Sequence, residues 1–258
     1  MLKAIIFDMG GTLEDVEHKP EYSRGCGEKI LTYLKGHGID LNMSSEELMQ
    51  RLEKRNAEYR KWGIENGREI TPFEIWSKWY LDHMDINLDR LRAISNNVAN
   101  IWERSFYKRA LRPDAPHTLR ELKELGIRMG VISNTACQTQ VIEILHEYGI
   151  HQYFDGCIYL SSLSGFRKPH PELFRAAAQD LDARPEECVY VGDTISRDVQ
   201  GSRLAGFMAS IRIDSHLTAV SDIGFAETTE DAEYRINNLT EILSIVQKLI
   251  VPAKGVEV

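Results

Sequence analysis

Asp8 closes a short β-branched and aromatic run, Leu2 to Phe7, and is followed by Met9, Gly10, Gly11 and Thr12. Glycines let the backbone amides of such a turn approach a bound anion closely. Ser133 and Asn134 end a second apolar run, Arg128 to Ile132, and offer a hydroxyl and further donors. Lys168 is a cation fixed just ahead of a helix that starts with Pro171. Asp193 follows the run Cys188 to Val191, and Asp198 comes five positions later, close enough to share a hydrated metal. Two or three carboxylates with a lysine and a hydroxyl make a place for Mg2+ and a phosphoryl group. Taken singly, each has a plainer explanation, since strand-end aspartates cap turns and helices and Ser133-Asn134 is turn chemistry. The ordered set is the signal, because successive strand ends carry suitable residue types.

These residues converge only if their runs lie side by side. Strands at Leu2 to Phe7, Arg128 to Ile132, Gly156 to Leu160, Cys188 to Val191, Met208 to Ile213 and Tyr234 to Ile236 alternate with helical stretches. The helices are expected at Pro116 to Leu125, Gln138 to Tyr148, Pro171 to Leu181, Arg197 to Ala205 and Thr240 to Leu249. Such alternation predicts an α/β fold, a Rossmann-like parallel sheet with right-handed crossovers and helices on both faces. A ligand then sits beyond the carboxyl ends of the strands.

The first crossover is anomalous, for 125 positions separate Asp8 from Ser133 where a crossover needs only a few tens. Strand signals vanish between His18 and Lys108, and four helices are predicted there: Tyr22 to Lys35, Ser45 to Trp62, Phe73 to His83 and Leu88 to Lys108. Ser44 with Glu47 forms a capping box, and Pro72 suits a first helical turn. The expected division is a discontinuous core, residues 1–17 and 109–258, interrupted by a helical cap at 18–108. The cap carries 15 basic and 14 acidic residues and the remainder 16 and 25, so the cap repels an anion far less. All four tryptophans, Trp62, Trp76, Trp79 and Trp102, fall inside it. A small bundle needs bulky side chains, so they are read first as core.

A net charge of −8, with no run of lysines or arginines, argues against nucleic acid and anionic membranes as partners. No apolar stretch approaches the roughly 18 to 20 residues that cross a bilayer, so a cytoplasmic location is expected. Cys26, Cys137, Cys157 and Cys188 have no paired spacing and are expected as buried thiols. The tail from Pro252 to Val258 is expected to fray.

The sequence resembles the haloacid dehalogenase superfamily over nearly its whole length. Asp8-Met-Gly-Gly-Thr-Leu13 is similar to the nucleophile loop, Val131-Ile-Ser-Asn134 to the second motif, Arg167-Lys-Pro169 to the third, and Gly192-Asp-Thr-Ile-Ser-Arg-Asp198 to the fourth. The insertion falls where the superfamily places its C1 cap. The resemblance implies that Asp8 attacks phosphorus to form an aspartyl-phosphate, while Ser133 and Lys168 hold the phosphoryl oxygens. It implies Mg2+ held by Asp8, the Gly10 carbonyl and Asp193, with Asp198 supporting Asp193 or a metal-bound water. Met9, Gly10, Ser133, Asn134 and Lys168 are the expected substrate contacts. The chemistry is consistent, because a carboxylate attacking an anionic phosphate needs its charge neutralised.

One departure matters. Phosphatases of this kind usually carry a second aspartate two residues after the nucleophile, and here that residue is Gly10. Protonation of the leaving alkoxide, a contribution of roughly 10² to 10⁴ in rate, is thereby lost. Glu14, Asp15 and His18 are the nearby substitutes. The resulting expectation is a Mg2+-dependent phosphatase for a small phosphorylated metabolite, as monomer or homodimer. One alternative is a non-catalytic protein that binds Mg2+ and phosphate. Another is a phosphonoacetaldehyde hydrolase-like enzyme using a cap lysine such as Lys19, Lys29 or Lys54.

Overall fold

The computed structural model describes residues 1–154, 156–215, 222 and 230–250. Six parallel strands form one sheet: β1 (Ala4–Phe7), β4 (Arg128–Ser133), β5 (Ile158–Leu160), β6 (Cys188–Gly192), β7 (Ala209–Ile213) and β8 (Tyr234–Ile236), in the order β5-β4-β1-β6-β7-β8. Side chains alternate across the sheet, as the two-residue strand period requires. Ile5, Phe7, Met129, Val131, Val189 and Val191 pack under α5 (Ala115–Glu124), α6 (Gln140–Glu147) and α10 (Glu241–Ile250). Ala4, Ile6, Ile132, Cys188 and Tyr190 face the opposite way, under α8 (Pro171–Asp180) and α9 (Gln200–Ala205). The expected α/β sheet with helices on both faces is therefore present.

An antiparallel pair that the sequence reading missed, β2 (Glu14–Glu17) and β3 (Lys108–Leu111), leads out of the sheet layer, with Glu14 opposite Leu111 and Glu17 opposite Lys108. Between them run α1 (Pro20–Gly36), α2 (Ser45–Asn66), α3 (Pro72–Ile75) and α4 (Leu88–Ser105) around an apolar cluster of their own. Capping boxes close the starts of α2 at Ser44 and Glu47 and of α3 at Thr71 and Glu74. Two expected helices are corrected. The last one stops at Ser105, and Lys108 opens a strand whose partner lies more than ninety residues earlier. The third breaks into α3 and a π-helical turn, Trp76–Tyr80. Arg55 donates to the Trp79 carbonyl at 2.8 Å and Arg51 to the Tyr80 and Asp82 carbonyls at 2.7 and 2.6 Å, so side chains take the carbonyls that a longer helix would use.

Trp76 and Trp102 are buried in the cluster of the insertion, and Trp62 and Trp79 pack against it, as the core reading expects. All four cysteines are buried thiols. The tail from Pro252 lies outside the described residues. Among the described residues no helix is long and apolar enough to cross a membrane.

Candidate active site

β1 delivers Asp8 to the carboxyl end of the sheet beside Ser133 of β4 and the Asp193 that follows β6. Two glycines permit the crowding there. Gly11 has a φ of +85°, and a side chain on it would begin 2.4 Å from Asp193 Oδ2. A side chain on Gly192 would begin 2.4 Å from Asp198 Cβ. Both separations are impossible for real atoms, so glycine is what lets these carboxylates gather.

Lys168 ties the cluster together. Its ammonium lies 2.7 Å from Asp8 Oδ1 and 2.7 Å from Asp198 Oδ1, and donates to the Tyr190 hydroxyl at 3.0 Å. Asn134 clamps the Lys168 backbone, accepting from its N–H at 2.9 Å and donating to its carbonyl at 3.2 Å. Asp198 is engaged at both oxygens, since Oδ2 accepts from the Thr194 N–H at 3.0 Å and hydroxyl at 2.6 Å. Met9 contributes its main chain only. Its N–H donates to Asp8 Oδ1 at 2.7 Å, while its side chain is core.

Asp8, Asp193 and Asp198 each present a ligand oxygen within 4.8 Å of the others. Burial raises the Asp8 pKa even against the pull of Lys168. Asp193 is pushed up to about 7 by burial and then by the charges of Asp198 and Asp8. Burial also opposes ionisation of Asp198, but Lys168 and Arg197 outweigh it and its pKa falls. A buried all-oxygen cluster in which burial and mutual repulsion raise both Asp8 and Asp193 is chemically suited to a hard divalent cation such as Mg2+, which would offset that charge.

Above the cluster lies a cavity of about 570 Å³ whose lining includes Asp8, Gly10, Ser133, Asn134 and Lys168. Its far walls come from the insertion: Tyr59 and Arg60 of α2, Trp102 and Glu103 of α4, then Phe106 and Tyr107. His18 also lines it, stacked on Phe106 with ring centroids 4.1 Å apart. Glu14 is fully buried, bonded to Arg109 at 2.5 Å and to the Tyr148 hydroxyl at 3.0 Å. Asp15 is exposed and pairs with Arg112 at 3.3 Å. Lys19 pairs with Glu17 at 2.9 Å, Lys29 reaches Ser105 at 3.3 Å, and Lys168 is the one lysine among the described residues that lines this cavity.

Several residues at the site went unread in the sequence. Arg109 joins Glu14 to Glu103, and Arg167 pairs with Glu69 from the segment after α2. Asp222 holds the Ile195–Val199 turn, accepting from the Ile195 and Ser196 N–H groups at 2.6 and 3.0 Å. Arg167 belongs to the motif read around Lys168, but its pairing with Glu69, 98 positions earlier, gave no signal. Glu14 and Asp222 meet their partners across 95 and 27 positions, which leaves no local signal, and Glu103 acquires its role only through Arg109 six positions on.

A parallel sheet with an aspartate, a lysine and further carboxylates at its carboxyl ends, roofed by a helical insertion, defines a class of hydrolase fold. The chain belongs to the haloacid dehalogenase-like hydrolase family, whose profile matches residues 2–206. Glyceraldehyde 3-phosphate phosphatase of Methanocaldococcus jannaschii is 30% identical, covering 96% of this chain and 99% of that protein. The protein of the same name from Methanopyrus kandleri is 28% identical over 96% of this chain and 99% of its own length. The crystal structure of 2-haloacid dehalogenase from Pseudomonas syringae superposes with a TM-score of 0.63 at 19% identity, covering 96% of this chain and 100% of that one, a likeness of fold alone.

Proposed function

We propose that the chain is a Mg2+-dependent phosphatase acting on a small phosphorylated metabolite through an aspartyl-phosphate at Asp8. The observation that carries this reading is Lys168, which touches Asp8 at 2.7 Å on the floor of a cavity shared with Ser133. In this role a carboxylate oxygen of Asp8 attacks phosphorus. Ser133 and Lys168 bind the phosphoryl oxygens, and Asn134 fixes Lys168 through its backbone. Asp8, the Gly10 carbonyl and Asp193 would hold Mg2+, which neutralises phosphoryl charge when bound. Asp198, spent on Lys168 and Thr194, acts through them. Residues 18–108 serve as the cap over a core of 1–17 and 109–258.

The relatives' names point to glyceraldehyde 3-phosphate as the first compound to test. It is a primary alkyl phosphate smaller in volume than the cavity. Purified protein with Mg2+ is assayed against it, against other phosphate monoesters and acyl phosphates, and against phosphonoacetaldehyde. Phosphate release from a monoester that Asp8→Asn abolishes supports the reading. Phosphonate cleavage alone, or no release from any donor, refutes it.

A further inference from the structure

An alkyl phosphate needs a proton for its departing oxygen, and Gly10 has none to give. Glycine there is not enforced by backbone conformation. A Cβ on Gly10 would meet Val16 Cγ2 at 3.3 Å, Arg109 Nη1 at 3.7 Å and Glu14 Oε1 at 3.9 Å. The place where an acidic side chain would begin thus faces the Arg109 guanidinium. That guanidinium is fixed by two carboxylates, Glu14 at 2.5 Å on one side and Glu103 at 3.0 Å on the other. The two glutamates differ in access. Glu14 is completely buried, whereas Glu103 retains 14% exposure of its side chain and lines the cavity with Asp8 and Gly10.

We propose that Glu103 is the proton donor and acceptor of the reaction, displaced from residue 10 by the width of the Arg109 guanidinium and delivered by α4 rather than by the nucleophile loop. The inference rests on the phosphatase reading above. In the first half-reaction Asp8 forms an O–P bond, the bond from phosphorus to the leaving oxygen breaks, and that oxygen takes the Glu103 proton. In the second, Glu103 carboxylate takes a proton from water, the resulting hydroxide attacks phosphorus, and the Asp8–phosphorus bond breaks to release phosphate and the original carboxylate.

The surroundings suit a carboxyl that can hold a proton. Burial raises the Glu103 pKa, and the charge of Arg109 and then Arg60 opposes the rise. Glu69 adds to it and Arg167 opposes it. The phenols of Tyr80 and Tyr107 and the thiols of Cys26 and Cys137, all raised by burial, sense the Glu103 charge and remain neutral beside it. One guanidinium shared by two carboxylates leaves the trio short of a positive charge; burial raises Glu14 as well, and of the two carboxyls Glu103 is the one that lines the cavity.

The test is the leaving-group dependence of Glu103→Gln, which keeps an acceptor for Arg109 but cannot transfer a proton. Turnover of an alkyl phosphate should fall by roughly 10² to 10⁴, the worth of general acid catalysis. Release of 4-nitrophenol in the first turnover of 4-nitrophenyl phosphate, whose leaving group needs little protonation, should fall by less than about tenfold, while steady-state turnover falls further because hydrolysis of the common aspartyl-phosphate loses its base. The limb of the alkyl-phosphate pH profile that falls as pH rises should vanish in the variant, and Glu103→Asp should recover part of the loss. Equal losses in the first-turnover release of both leaving groups would make Glu103 a support for Arg109 and overturn the proposal, as would no loss on either. A wild type active on neither substrate would instead remove the phosphatase reading itself. Aluminium fluoride trapping at Asp8 in Glu103→Gln establishes that the site is still folded.

Discussion

Glu69 and Arg167 form a buried ion pair that joins the helical insertion to the loop carrying Lys168. The contact is reinforced on both sides. Glu69 also accepts from the Ser161 hydroxyl at 2.9 Å and from the Tyr59 hydroxyl, and the Arg167 N–H donates to the Gly67 carbonyl at 3.2 Å. A side chain on Gly63 would begin 3.0 Å from Arg167 Cδ, so α2 passes close over the arginine stem.

Removing one partner of such a pair strands a buried charge. Glu69→Ala is expected to cost about 3 to 5 kcal/mol, read as a lower urea midpoint with an unchanged slope. Replacing both partners, with Glu69→Leu and Arg167→Met, should recover much of the loss. A single variant as stable as the wild type would show that the pair does not hold the two parts together.

Asp8→Asn should leave the fold intact and abolish turnover, and it should also prevent trapping of beryllofluoride. Lys168 would keep an oxygen acceptor at residue 8, so stability should change little. Crystals of the wild type soaked with beryllofluoride and Mg2+ should carry the fluoride on Asp8, and density elsewhere would displace the nucleophile assignment.

Mg2+ affinity should depend on pH through Asp193, whose pKa stands near 7 without metal. Below that value a proton competes with the ion, and affinity should drop by up to about tenfold per pH unit. Above it the affinity should level off. The stability of the metal-free chain should run the opposite way. A carboxyl whose folded pKa exceeds its ordinary 3.8 stabilises the fold most below that ordinary value, and the contribution is lost as pH rises through about 7. Calorimetry at pH 5.5 and 7.5 measures the first effect and thermal unfolding over the same range the second. In Asp193→Asn both slopes should flatten, and Mg2+ should bind more weakly at either pH.

Gly10→Asp supplies the missing carboxyl but places it against Arg109. There it competes with Glu14 and Glu103 for one guanidinium and its Cβ crowds Val16 Cγ2 at 3.3 Å, so it would be poorly placed to serve as an acid. The gain in alkyl phosphate turnover should therefore stay well below the roughly 10² to 10⁴ that a well-placed acid brings. A gain of that full size would show that Arg109 does not govern the new group.

The strand-helix alternation and the clustering of Asp8, Ser133, Lys168, Asp193 and Asp198 could be read from the sequence by itself. Each depends on a local pattern: an apolar run, a terminating polar residue, and a parallel sheet that brings like ends together. The place of the insertion was legible too, because an overlong crossover needs no tertiary information to notice. The β2–β3 pair was not, since a four-residue strand such as Glu14–Glu17 is mostly charged and acquires its identity only from Lys108–Leu111. Local propensity also missed the arginine side chains that end the third helix at its carbonyls. Above all, the sequence showed Gly10 as a loss, and only the tertiary structure set Arg109 and Glu14 beside it and Glu103 in the same cavity. Glu14 and Arg109 are 95 residues apart. Their pairing follows from how two short strands register and how α4 enters them, and burial then decides the charge each group can carry.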